Sequence, residues 1–126
     1  MSKIFVLEDD KDIREVVQMI LELEGYKVVS FSNVHDFMNR KSGEVPDLFL
    51  LDVMLPDGSG IEVCGELKSQ SDLSKAPIII MSAHASLDEV TSLCKAEGFI
   101  QKPFDIDAFL GKVRMHIDHA SDGSNG

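Results

Sequence analysis

Long apolar segments are absent from the 126-residue sequence. Its most uniform apolar runs, such as Ile4–Leu7, span only four residues, whereas a membrane-spanning helix needs about 20. The chain also opens without the basic segment and apolar stretch of a signal peptide. We therefore expect no membrane association and a cytoplasmic location.

Basic residues are scarce. Lysine and arginine together number 12 against 22 aspartates and glutamates, which gives a formal net charge of −10. Proteins that bind nucleic acid directly need a positive surface for the phosphate backbone, so this balance argues against such binding. Most of the acidity fits an ordinary solvated surface, and only the acids at strand ends require a separate explanation.

Cysteine is also rare, and Cys64 and Cys94 are the two in the chain. They are far apart, match no metal-binding spacing, and each lies on the apolar stripe of a predicted helix. Buried free thiols are therefore the expected state. The four histidines likewise show no metal-binding spacing.

With 44% hydrophobic and 27% charged residues, the composition is typical of one soluble globular domain. A chain of 126 residues can bury an ordinary core without disulfides or metals. We place this domain at residues 1–119. The remaining residues, 120–126, are small and polar and are expected to form a disordered tail.

Apolar runs of strand type alternate with amphipathic helical patterns along the domain. Strands are predicted at residues 3–8, 26–31, 47–52, 77–82 and 98–101. Helices are predicted after each strand: the first ends near Gly25, the second contains Val34–Met38, the third contains Ile61–Leu67, the fourth begins at the capping box Ser86–Glu89, and the fifth covers Ile106–Ile117.

The strands are nearly continuous in apolar residues, which is typical of a parallel sheet covered by helices on both faces. Strands 1, 3 and 4 are the most uniformly apolar and are predicted to be central, whereas strands 2 and 5 are predicted to be edges. The expected fold is therefore α/β, a doubly wound, five-stranded parallel sheet with the flavodoxin-like order 2-1-3-4-5.

Chemically reactive side chains follow four of these strands. Glu8 ends strand 1 and Asp9 follows it, Asp52 ends strand 3, Ser82 ends strand 4, and Lys102 follows strand 5. Ligands of such sheets bind outside the carboxyl ends of the strands. These side chains are therefore expected to meet in one pocket.

Three carboxylates in one pocket repel each other unless a cation balances them. Mg²⁺ fits because it takes oxygen ligands and retains water molecules. We expect Asp9 and Asp52 to bind the ion directly and Glu8 to bind it through a water molecule. The backbone carbonyl of Met54 is expected to supply a further oxygen.

The same pocket is suited to phosphoryl transfer. An aspartate such as Asp52 is an accepted phosphoryl nucleophile. The charge that develops on the transferred group needs positive charge and hydrogen-bond donors around it. Mg²⁺ and Lys102 would supply the charge, and the Ser82 hydroxyl and the Ala83 N–H would supply the donors.

Each residue also has an ordinary structural explanation when it is taken alone. Acids at the start of a helix are favoured by the helix dipole. Asp52 would be a strand-end cap, Ser82 a turn residue and Lys102 a surface residue. Their occurrence at successive strand ends of one predicted sheet favours a shared site.

Four segments carry a resemblance to a known family, namely Ile4–Asp10, Leu51–Gly60, Pro77–Ala83 and Phe99–Phe104. Over about residues 2–118, the chain resembles the response-regulator receiver domain of two-component signalling. The resemblance implies that Asp52 accepts a phosphoryl group from a histidine kinase or a phosphotransfer protein. It also implies that Glu8 and Asp9 bind Mg²⁺ and that Lys102 binds the phosphate.

The resemblance further implies a conformational switch. Ser82 would move toward the phosphoryl group, and the side chain of Phe99 would turn inward into the vacated space. The switched surface would be the face of the fourth predicted helix, the fifth strand and the fifth predicted helix, where an output domain or effector binds. A phosphorylation-dependent homodimer would be a further assembly. A cis peptide bond between Lys102 and Pro103 is also implied.

A domain of this kind catalyses only its own phosphorylation and dephosphorylation and is not otherwise an enzyme. Met54 and His84 follow the acceptor and the hydroxyl by two positions. Side chains at these positions control the access of water to the acyl phosphate, so they are expected to tune its lifetime.

Two other interpretations compete. A haloacid-dehalogenase-type phosphatase also uses an aspartate nucleophile and Mg²⁺ on a doubly wound sheet. It needs a second acid two residues later, where this chain has Met54. A receiver-like interaction module that works without phosphorylation would fit the same fold, although no residue of the cluster is missing.

Overall fold

The computed structural model describes residues 2–40, 45–70, 76–83 and 94–125, with side chains up to residue 117. Within these ranges one parallel sheet contains the strands β1 (Lys3–Leu7), β2 (Lys27–Phe31), β3 (Leu48–Asp52), β4 (Ile78–Ser82) and β5 (Gly98–Gln101). Their order across the sheet is β2-β1-β3-β4-β5. The predicted fold class, strand order and edge strands are therefore confirmed.

The described helices are α1 (Lys11–Leu23), α2 (Val34–Met38), α3 (Gly60–Ser69) and α4 (Ile106–Asn125). Between β3 and α3, the segment Met54–Leu55 pairs antiparallel with Gly58–Ser59. The helix predicted to begin at Ser86 lies outside the described residues, so α4 corresponds to the fifth predicted helix. Helix α4 includes most of the segment for which the sequence predicts a tail, and the domain boundary at residue 119 stays a prediction.

The apolar strands supply both faces of the sheet with core residues. On one face, Phe5, Phe49 and Ile80 pack in a cluster with residues of α2 and α3. On the other face, Val6 and Leu50 pack in a cluster with residues of α1 and α4. Because successive strand residues point to opposite faces, a strand buried on both faces must be apolar throughout. This requirement explains the uninterrupted apolar runs of β1, β3 and β4.

Short polar side chains set the starts of two helices. Asp10 is the N-cap of α1, where its Oδ1 accepts a hydrogen bond from the Ile13 N–H at 3.1 Å. Ser59 is the N-cap of α3, where its Oγ accepts from the Ile61 N–H at 3.1 Å. Gly25 follows α1 with a φ of 92°, a left-handed conformation that glycine adopts without strain. The helix therefore stops near Gly25, as predicted.

None of the described helices combines the length and the apolar character needed to cross a membrane.

The two cysteines are buried free thiols, as predicted. Burial, followed by the hydrogen bond and charge of Cys94, raises the pKa of the Cys64 thiol far above its ordinary range. Because both thiols are shielded from reagents in solution, we expect neither cysteine of the folded protein to react with a disulfide reagent such as DTNB at pH 8. Both are expected to react rapidly in urea. Fast modification of the native protein, followed by absorbance, would contradict this expectation.

Candidate functional site

Three carboxylates meet at the carboxyl ends of β1 and β3. Each of Glu8, Asp9 and Asp52 places one carboxylate oxygen within 4.8 Å of the others. Glu8 is fully buried and Asp52 is 6% exposed, whereas Asp9 is exposed. The cluster therefore has a closed side within the protein and an open side toward water.

Lys102 brings a positive charge to this cluster from the end of β5. Its Nζ lies 2.5 Å from Glu8 Oε1 and 3.3 Å from Asp52 Oδ1. Its backbone N–H donates to the carbonyl oxygen of Ser82 at 2.9 Å, which extends the pairing of β4 with β5 beyond the strands. The bond between Lys102 and Pro103 is cis, in agreement with the resemblance.

The charges of the cluster are strongly coupled. Burial raises the pKa of Glu8 to about 7, with the nearby Asp52 acting in the same direction and the hydrogen bond from Lys102 acting against it. For Lys102, burial acts to lower the pKa, but the hydrogen bonds and charges of Glu8 and Asp52 together outweigh it, so the pKa is raised. One ammonium group therefore does not fully balance the carboxylates, and an additional cation is favoured.

The donor set fits a hard divalent cation such as Mg²⁺. Carboxylate oxygens are its preferred protein ligands, and it usually retains several water molecules. Asp9 is exposed, so there is room for such waters on its side of the site. The carboxylates of Glu8 and Asp52 are buried and form the closed side of the site. The residues that would hold the ion are therefore Glu8, Asp9 and Asp52.

The sequence also assigns Ser82, Ala83 and Met54 to this site. Ser82 is the last residue of β4 and is 2% exposed, and Ala83 follows it at the surface. Met54 lies in the short antiparallel pair opposite Ser59, and its side chain is 65% exposed. The predicted use of the Met54 carbonyl as a metal ligand stays a prediction.

An apolar groove of about 500 Å³ opens beside the cluster. It runs between the start of α1 and the segment that follows β5, and it shares Lys102 with the acidic pocket. The residues that line it are Asp12, Ile13, Val16, Ala83, Lys102, Pro103 and Phe104. The groove therefore places an apolar surface next to the charged cluster.

Residues 4–114 match the family model of the response regulator receiver domain, which covers most of the chain. The chain belongs to this family. It is 34% identical over 129 residues to the probable transcriptional regulator ycf27 of Porphyridium aerugineum. That match covers 98% of this chain and 52% of the relative, so the receiver domain spans about half the relative's length.

Solved structures agree with the family assignment. A CheY-like response regulator receiver domain protein from Methanospirillum hungatei has a TM-score of 0.87 at 26% identity, with 98% of each chain covered. The response regulator protein TrrA from Thermotoga maritima, solved in complex with Mg²⁺–BeF, has a TM-score of 0.79 at 29% identity. That match covers 91% of this chain and 98% of TrrA.

The receiver fold brings the predicted site residues together to different degrees. Glu8, Asp52 and Lys102 are in direct contact or close to it, and Asp9 lies beside them. Phe99 lies apart from this pocket, with its half-buried ring packed against the core cluster of α2 and α3. His84 lies outside the described residues. The predicted roles of these residues in phosphorylation and switching stay predictions.

Asp57 has a role that the sequence did not reveal. Its carboxylate accepts hydrogen bonds from the backbone N–H groups of Val34 and His35, at 2.8 and 2.9 Å, and these bonds lower its pKa. The loop that follows Asp52 is thereby fixed to the start of α2. In a Pro-Asp-Gly turn, an aspartate normally bonds to its own backbone, so no local signal pointed to a partner more than 20 residues away.

At Gly60, where this loop ends, the backbone of Asp52 leaves no room for a side chain. A Cβ at this position would lie 2.0 Å from the backbone oxygen of Asp52, whereas one at Gly65 in the same helix would meet nothing within 4 Å. We expect Gly60→Ala to lower the free energy of unfolding by about 2 kcal/mol, because the backbone that carries Asp52 must shift.

Gly65→Ala is the matched control for this substitution. It is expected to leave stability unchanged or to raise it by up to about 1 kcal/mol, because alanine favours the helix. Urea unfolding of both variants makes the comparison. Equal effects at the two positions would show that the close approach at Gly60 does not constrain the loop.

Proposed function

We propose that Asp52 accepts a phosphoryl group from a histidine kinase or a phosphotransfer protein, and that the transfer depends on Mg²⁺. The observation that carries the proposal is the setting of this one side chain. Asp52 is buried at the end of a central strand, shares a cluster with Glu8 and Asp9, and lies 3.3 Å from the Nζ of Lys102.

In the proposed step, a carboxylate oxygen of Asp52 forms a bond to phosphorus, and the bond from phosphorus to the donor's imidazole nitrogen breaks. The released imidazole takes a proton from water. No general base is needed, because an ionised carboxylate is already a nucleophile. Mg²⁺, when bound, would offset the negative charge of the phosphoryl oxygens. The structure of TrrA in complex with Mg²⁺–BeF supports the use of a divalent cation.

Three groups of this chain are assigned to the phosphoryl oxygens. Lys102 supplies an ammonium group, Ser82 its hydroxyl and Ala83 its backbone N–H. Their placement supports the assignment, since Lys102 is bonded through its backbone to Ser82 and lines the same groove as Ala83. Donors of this kind stabilise charge that develops during transfer. In this proposal the domain catalyses its own phosphorylation and dephosphorylation.

The groove beside the cluster is assigned to the phosphoryl donor. A donor protein must bring its phosphohistidine to a carboxylate that is 6% exposed, so it needs a surface next to the pocket. The groove supplies apolar contacts from Ile13, Val16 and Phe104 at that place. Burial of such apolar surface favours association of the two proteins.

Phosphorylation is proposed to change the face formed by β5, α4 and the predicted fourth helix. New contacts would draw Ser82 toward the phosphate, and Phe99 would turn inward. The half-buried state of Phe99 supports this step, because its ring has further surface to bury. An output domain, an effector or a second copy of the chain would bind the changed face. Direct nucleic-acid binding is not assigned to this domain, which carries a net charge of −10.

The intact mass of the protein after incubation with acetyl phosphate tests the proposal. We expect one phosphoryl adduct that forms with Mg²⁺ and not with EDTA. Hydroxylamine should remove it, because this reagent cleaves acyl phosphates and leaves phosphate esters of serine intact. The proposal is overturned if the protein forms no adduct with acetyl phosphate and none with phosphorylated phosphotransfer proteins. That result would favour the interaction module that works without phosphorylation.

A further inference from the structure

Arg14 joins helix α1 to the acidic loop that follows β1. The residue is half-buried, and its Nη1 donates to the backbone oxygen of Glu8 at 2.9 Å and to that of Asp9 at 3.3 Å. One nitrogen of the guanidinium therefore contacts the carbonyl groups of both acids in this loop. The side chain acts on the backbone and contacts neither carboxylate.

The two acids of the loop differ in how their side chains are held. The Glu8 carboxylate accepts hydrogen bonds from Lys102 Nζ at 2.5 Å and from the Asp10 N–H at 3.2 Å. In the described part of the chain, no hydrogen bond holds the Asp9 carboxylate, which is exposed. The direction of the Asp9 side chain toward the pocket therefore depends on the backbone that carries it.

We propose that Arg14 is a positioning residue for the metal site. By fixing the carbonyl groups of Glu8 and Asp9, it orients the peptide so that the Asp9 carboxylate faces Asp52. The inference rests on the proposed function, because it concerns the Mg²⁺ affinity of the same pocket. Groups that orient metal ligands without touching the metal commonly change metal affinity by roughly 10- to 100-fold. Lysine would keep the charge but lose the rigid, planar arrangement of donors.

Isothermal titration calorimetry with Mg²⁺ tests this inference on the full chain. Arg14→Met should weaken the affinity by roughly tenfold, and Arg14→Lys should give an intermediate value. Lys11→Met is the matched control, because Lys11 is a cation of the same helix whose side chain is 75% exposed and lies 3.9 Å from Glu15. Its affinity for Mg²⁺ should equal that of the wild type.

A second measurement separates positioning from general damage to the fold. Amide NMR shifts of Arg14→Lys should change at residues 8–10 and stay unchanged in β3 and β4, while urea unfolding reports its overall stability. If Arg14→Met binds Mg²⁺ as tightly as the wild type, the inference is overturned. Tighter binding would also overturn it, since removal of a repelling charge would then be the whole effect.

The failure of this inference is distinguishable from that of the proposed function. Unchanged Mg²⁺ affinity in the Arg14 variants, with normal phosphorylation of the wild type, would refute only the role of Arg14. Absence of phosphorylation in the wild type would refute the proposed function, while the calorimetric series would still decide whether Arg14 positions the acidic loop.

Discussion

Replacing Asp52 with asparagine is expected to abolish the phosphoryl adduct completely. Asparagine has nearly the same shape, but its neutral amide is not a nucleophile toward phosphorus. The fold is expected to survive the change, because Asp52 helps to raise the pKa of Glu8 and its removal lessens the repulsion between the two carboxylates. Intact mass spectrometry after incubation with acetyl phosphate and Mg²⁺ measures the loss, and urea unfolding confirms that the variant is folded.

Asp57→Asn is the matched control for this experiment. Asp57 lies five positions further along the same loop, so the same change of one acid to its amide is made outside the cluster. Its carboxylate contacts the N–H groups of Val34 and His35, and the variant should be somewhat less stable but fully able to accept the phosphoryl group. An adduct that persists in Asp52→Asn would assign the acceptor to another residue. Equal loss in both variants would indicate damage to the loop and not to the acceptor.

The order of the strands could be predicted because uniformly apolar strands alternate with amphipathic helices along the chain. Apolar runs such as Leu48–Leu51 are too short for helices and too uniform for a half-exposed sheet, which leaves a parallel sheet buried on both faces. The amphipathic stripes between them require helices on those faces. The meeting of Glu8, Asp52 and Lys102 then follows from topology alone, because each residue lies at or just beyond a carboxyl end.

Contacts made through the backbone could not be predicted in the same way. Gly60 belongs to a segment that resembles the receiver family, but the pattern does not reveal why glycine is needed there. The reason is that a Cβ at this position would lie 2.0 Å from the backbone oxygen of Asp52. Arg14 lies near the start of an amphipathic helix, where a charged residue is normally solvated. Its bonds to the carbonyl groups of Glu8 and Asp9 depend on how the loop turns into α1, which the spacing of residue types does not encode.

The titration of Glu8 is expected to make the stability of the protein depend on pH, and Mg²⁺ is expected to counteract this dependence. The folded state raises the pKa of Glu8 from its ordinary value of 4.5 to about 7. Between these values, the folded protein binds the proton more tightly than the unfolded chain does. Without metal, the free energy of unfolding should therefore fall as the pH rises from 4.5 to about 7 and then level off. The fall should be at most about 3.5 kcal/mol, since one pKa unit corresponds to about 1.4 kcal/mol.

Mg²⁺ bound at the proposed site would favour the ionised carboxylate and compete with the proton, so it should stabilise the protein much more at pH 8 than at pH 5. Urea unfolding at these pH values, with EDTA or with Mg²⁺, measures both effects. Glu8→Gln should remove most of the fall, because its side chain does not ionise. Glu15→Gln, at an exposed acid of α1, should keep it. A wild-type profile in EDTA that is no steeper than that of Glu8→Gln would mean that Glu8 is already ionised at pH 5. Lys102 alone would then balance the buried carboxylate, and Mg²⁺ would stabilise the protein equally at both pH values.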